Sequence, residues 1–172
     1  MRHLYHFSEE GEIVLFEPRT IYDQTEAKVW AIDAFHAPHY YFPRDCPRIC
    51  LWPKDETTEK DESRFFGMSA VRRMIAVESG WYDRIRKGHL YRYVFDGEGF
   101  GVEEPNAGYY TSVRAVKPLR VDRIEDLPDA LLKEGIELRI TPSLTPLKEA
   151  VLRSTLNFSM IRMRNARQEG TL

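Results

Sequence analysis

His3-Leu4-Tyr5-His6-Phe7-Ser8 alternates around Leu4, Tyr5 and Phe7, which predicts a short first strand with successive side chains on opposite faces. A polar stretch follows from Glu9 to Glu12, then Ile13–Phe16, then Glu17-Pro18-Arg19, where the proline stops any continuing ladder. Val29-Trp30-Ala31-Ile32 is nearly all apolar and predicts a second, buried strand. Asp33 caps a brief helix through Ala34–Phe42, limited by Pro38 to a turn or two, and Arg48–Trp52 is a third strand.

The seven charged residues between Pro53 and Ser63 predict a solvated loop over 53–63, or an exposed helix start. Val71–Val77 reads as a strand and Ser79–Lys87 as a short helix, capped by Ser79 and stopped by Gly88. Leu90–Phe95 alternates into another strand, and the glycines at 97, 99 and 101 mark a loop. Strands over Tyr109–Val116 and Leu119–Val121 break at Pro118. A helix over Glu125–Glu134 closes at Gly135, and Ile136–Ile140 is a strand. Thr145 and Pro146 then open a helix expected over 145–168, whose wide apolar face, with Leu147, Val151 and Phe158, must be buried. This mixed order predicts a single α+β domain over 1–172, a mixed and antiparallel split sheet with flanking helices.

Composition narrows the function classes. Hydrophobic residues make up 42% and aromatics 12%, enough for a real core and too many for a disordered chain. With 25 basic against 27 acidic residues, nucleic acid is not an expected partner. The N-terminal MRHLYHFSEE has no long apolar run, so no membrane association is expected. Two cysteines are too few for a disulfide framework, which points to the cytoplasm.

Tyr5-His6-Phe7-Ser8 resembles the opening strand of the ADP-ribosyltransferase-like superfamily, and Val29–Ile32 with Asp33–Tyr41 is similar to its second block. The resemblance implies an ADP-ribosyltransferase-like fold and an NAD or ADP-ribosyl nucleotide as ligand. It also implies that the His6 side chain meets a ribose hydroxyl, that the first strand's backbone holds the nicotinamide amide, and that Tyr40 or Tyr41 stacks on the nicotinamide ring. The imidazole suits its part, since a neutral ring both donates and accepts. His6, Tyr40 and Tyr41 are thus the candidate catalytic residues, and His6, Ser8, Arg19 and Arg44 the candidate cofactor-binding ones. The superfamily's third element is a glutamate on a later strand, but Tyr109–Val116 contains no acid, and Glu103 and Glu104 only precede it. Binding without transfer is therefore the sharper expectation. Pro43–Arg48 and Phe158–Asn165 also resemble an uncharacterised bacterial family of about this length, which implies no activity.

Three rival readings stand beside this one. Arg44 and Arg48 bracket Asp45, either as a forked clamp for a pyrophosphate or as an ion-pair cluster locking the turn. His36, His39, Cys46 and Cys50 offer four zinc ligands within fifteen residues, but Cys50 falls inside a strand as an ordinary small apolar residue, and zinc is not expected. A non-catalytic interaction domain would use the last helix for self-association or for a protein partner.

Overall fold

The alternation at the N-terminus becomes β1 (His3–Ser8) in the computed structural model, which describes residues 2–21 and 25–168. In chain order there follow β2 (Val29–Ile32), a single 3-10 turn (Ala37–Tyr40), β3 (Arg48–Trp52), α1 (Glu59–Phe66), β4 (Met74–Glu78), α2 (Tyr82–Lys87) and β5 (Leu90–Asp96). Then come β6 (Gly101–Glu104), β7 (Tyr109–Ser112), β8 (Arg120–Ile124), α3 (Leu127–Lys133), β9 (Glu137–Thr141), α4 (Thr145–Leu152) and β10 (Asn157–Ile161). The class is α+β, and the chain divides into two compact units, residues 1–44 with 89–125 and residues 45–88 with 126–172.

The first unit is a six-stranded sheet in the order β6-β7-β2-β1-β5-β8, antiparallel throughout. Facing residues in such ladders share a face of the sheet. Leu4 faces Phe95 and His6 faces Tyr93, so these four lie on one side. That side holds the unit's core of Leu4, Val29, Ala31, Tyr93, Phe95 and Phe100, with Ile13 and Phe16 packed over it. The loop after β1 is pinned there by the Tyr93 hydroxyl, which accepts from the Ile13 N–H and donates to the Glu10 carbonyl.

The second unit is a four-stranded sheet in the order β10-β3-β4-β9, antiparallel except for the parallel pair β4–β9. Ile49, Leu51, Met74 and Ala76 form one core with Phe65 and Phe66 of α1 and with Val151 of α4.

Two elements depart from expectation for reasons visible in side chains. The helix expected over 145–168 ends at Leu152. The Thr155 N–H is taken by the Asp61 carboxylate at 2.8 Å, and the Thr155 hydroxyl donates to the same oxygen at 2.7 Å. The backbone that would continue the helix is thus captured from outside, and Asn157–Ile161 pairs with β3 instead. Nor does Thr145 cap α4; the capping position is Leu144, and it makes no side-chain cap bond. Within 53–63 the charged run is a loop only to Thr58, whose hydroxyl accepts from the Asp61 N–H and starts α1. The helix expected over Ala34–Phe42 is reduced to the 3-10 turn around Pro38.

Candidate functional site

The ladder between β1 and β2 supplies the first feature of the site. β1 pairs with β5 along its whole length, from His3↔Asp96 to Ser8↔Tyr91, whereas with β2 it shares the one register pair Tyr5↔Ile32. Where the two strands part, the His6 imidazole takes over, its Nδ1 lying 3.0 Å from the Trp30 carbonyl oxygen. A carbonyl only accepts, so Nδ1 carries the proton, and in the neutral ring Nε2 is left as an acceptor. Among the described residues the hydrogen bond of the ring is this one, at Nδ1.

Burial holds the imidazole below its ordinary pKa, against the Trp30 hydrogen bond, which favours the charged ring. The guanidinium charges of Arg44 and Arg19 add to the lowering. Both arginines are exposed, Arg19 in an isolated bridge ahead of β2 and Arg44 in the stretch between the 3-10 turn and β3. Arg19 is placed by its paired backbone bonds with Lys28, and Arg44 by its N–H, which donates to Glu9 Oε1 at 3.3 Å. The two charges therefore act on the His6 ring in the same direction as its burial. Ser8 shares the His6 face by alternation, and its hydroxyl accepts from the Glu10 N–H.

Tyr40 and Tyr41 do not lie beside the imidazole. Both pack on Phe7, Tyr40 parallel to its ring at 6.4 Å and Tyr41 edge-on at 5.4 Å. The Tyr41 hydroxyl accepts from Arg92 at 3.5 Å, and Arg92 faces Phe7 across the β1–β5 ladder. Phe7 and His6 are consecutive strand residues, so the tyrosines and the imidazole sit on opposite faces of the sheet. The joint His–Tyr pocket expected from the resemblance is corrected on this point: strand parity separates its two rings. Phe16 takes the place beside His6, with ring centroids 4.9 Å apart.

Glu103 does fold back, but onto the tyrosine side. The Thr111 hydroxyl donates to it at 2.8 Å and Lys28 donates to both its oxygens, and these bonds hold the carboxyl below its usual range. Thr111 faces Trp30, and the face of β2 that carries Trp30 and Ile32 is the one opposite to His6. The β6–β7 register shifts between Val102 and Glu104, a feature with no signal in the sequence pattern.

The remaining candidates are occupied elsewhere. Asp33 Oδ1 accepts from both the backbone N–H and the Nδ1–H of His36, each at 2.8 Å. Cys46 and Cys50 are buried free thiols, and burial pushes both up to about 12. Zinc requires thiolates, which this surrounding opposes. Among the described residues no three His, Cys, Asp or Glu side chains are grouped to hold a metal ion. Arg48 is buried and donates to the Cys46 carbonyl at 2.7 Å, and Asp45 faces Arg162 at 4.0 Å. No helix among the described residues is long and apolar enough to cross a membrane.

One family profile matches residues 5–166, nearly the whole chain. The chain belongs to the family of unknown function DUF6886. The match spans both units, so DUF6886 membership extends to the His6 neighbourhood and to the four-stranded sheet alike. No curated protein and no solved structure matches the chain.

Proposed function

We propose that the first unit binds a nucleotide of the ADP-ribosyl kind, NAD or ADP-ribose, on the His6 face of its sheet. The observation that carries this reading is the fixed tautomer of His6: a neutral ring tied through Nδ1 to Trp30, with Nε2 left as an acceptor beside two arginine charges. An acceptor calls for a hydroxyl, and the guanidiniums call for an anion within the same ligand. A ribose joined to a diphosphate presents both. In this reading Nε2 accepts from a ribose hydroxyl, and Arg19 and Arg44 take diphosphate oxygens through forked hydrogen bonds. The edge of β1 past Tyr5, released by β2, offers backbone groups to an amide. Group transfer is not part of the proposal, because Glu103 is held by Lys28 and Thr111 on the other face. The same reading places the protein in a reducing cytoplasm, where Cys46 and Cys50 stay thiols.

Calorimetry with ADP-ribose and with NAD at millimolar concentration tests the proposal. Saturable heat is expected from at least one of them. It should weaken at least tenfold in His6→Asn, which keeps a donor for Trp30 but replaces the Nε2 acceptor, and stay unchanged in His89→Ala. Absence of heat from both ligands refutes the reading.

A further inference from the structure

We infer that Glu9–Phe16 is a strap over the His6 face of the first unit, latched by Phe16, and that it opens as one piece to admit the ligand. The identity of that ligand rests on the nucleotide reading. The opening does not.

The strap leaves the end of β1 and belongs to no helix or strand. Gly11 passes the Tyr91 ring so closely that a Cβ there would lie 2.6 Å from the ring carbons. Ile13 and Phe16 pack onto the core of the sheet, whereas Val14 and Leu15 between them are 78% and 40% exposed. The segment is thus laid across the sheet with one side down.

Few bonds hold it there. Its one backbone-to-backbone partner among the described residues is Val116, which Phe16 meets through two hydrogen bonds of 2.8 and 2.9 Å. Ahead of that bridge the backbone is tied down by a single buried hydroxyl. Tyr93 accepts from the Ile13 N–H at 3.1 Å and donates to the Glu10 carbonyl at 2.6 Å. The Glu10 N–H reaches only the neighbouring Ser8 hydroxyl, and the Glu9 carboxylate accepts from the Arg44 N–H at 3.3 Å. β5 beneath is paired on both sides, with β1 and with β8. A segment with few backbone bonds and exposed apolar side chains opens at a lower free energy than the sheet it crosses. Because two of its ties run through one hydroxyl, they are lost together.

The strap covers the imidazole. The Phe16 ring lies 4.9 Å from that of His6 and meets Tyr93 and Phe95 edge-on at 4.9 and 5.0 Å. Burial is the largest influence on the His6 pKa, and Phe16 supplies part of the cover. A ligand that takes the space beside the imidazole competes with Phe16 for it. Latch and ligand then exclude each other, which gives the ligand the preference for the open state that a population shift requires.

Amide hydrogen exchange and stopped-flow binding of ADP-ribose, each on wild type and Tyr93→Phe, test the strap. The substitution removes the bond to Ile13 and leaves both bonds of Phe16 in place. The amides of Ile13 and Phe16 should nevertheless quicken together, roughly tenfold and by more than any amide of β5, whose change reports overall stability. Association of ADP-ribose should quicken by the same factor as the Phe16 amide, since both follow the open fraction. A faster Ile13 amide with Phe16 unchanged, or factors no larger than those in β5, means that the bonds break singly and overturns the strap. Equal association rates in the two proteins, with the amides quickened, overturn its gating of the site. If neither protein binds ADP-ribose or NAD, the nucleotide reading falls, and the two amides alone decide whether the strap opens.

Discussion

His6 shows how one side chain sets the chemistry of a strand opening. Its lowered pKa gives stability a defined pH dependence. Below about pH 6.5 the unfolded chain binds a proton that the folded ring resists, so stability present above that pH is lost as pH falls towards the native value. The carboxyls held low in the fold, such as Asp33 and Glu103, act in a more acidic window, below about pH 4. Thermal melts between pH 7 and 5 should therefore drop for wild type and flatten in His6→Asn; identical slopes for both would contradict the burial of a neutral ring. The thiols give a second residue-level prediction. With both pushed up to about 12, a thiol reagent at pH 8 should modify neither Cys46 nor Cys50 until the chain is unfolded. Fast labelling of the native protein would show that one of them is reachable.

Among the elements, the C-terminal segments depend most on a single acid. Glu78, 5% exposed at the end of β4, accepts from the Leu144 N–H ahead of α4 at 3.1 Å and from the Arg167 N–H at 3.0 Å. Glu78→Ala leaves the buried Leu144 N–H without a partner, at about 1–3 kcal/mol. A fall in Tm of roughly 2–4 °C per kcal/mol should accompany it, and Glu78→Gln should lose less because it keeps one acceptor oxygen. Equal melts for all three proteins would mean that water replaces the carboxylate without cost. The strands were legible in the sequence wherever alternation or an apolar run was strong, as at His3–Ser8, Val29–Ile32 and Arg48–Trp52. The long last helix expected over 145–168 gives way to a helix and a strand because helical spacing there fits both arrangements. What decides between them is Asp61, nearly a hundred residues away in sequence, and no local pattern carries that contact.

For the molecule as a whole, the sequence signals the α+β class but not the division into two units, whose boundaries at 44/45, 88/89 and 125/126 carry no linker composition. The candidate site was legible in part for a similar reason. His6, Arg19 and Arg44 are named by residue chemistry, and the two guanidinium charges lower the pKa of the imidazole alongside its burial. Which face Tyr40 and Tyr41 occupy depends on the path of the chain between Asp33 and Arg44, and that path lies beyond the reach of periodicity. The account therefore rests on the imidazole alone, and long-range nitrogen–proton NMR of His6 examines it most directly. The spectrum at pH 7 should show the Nδ1–H tautomer, with the Nε2 resonance shifting as ADP-ribose is added while that of His89 stays fixed. A proton on Nε2, or an Nε2 resonance indifferent to saturating ADP-ribose, would contradict it.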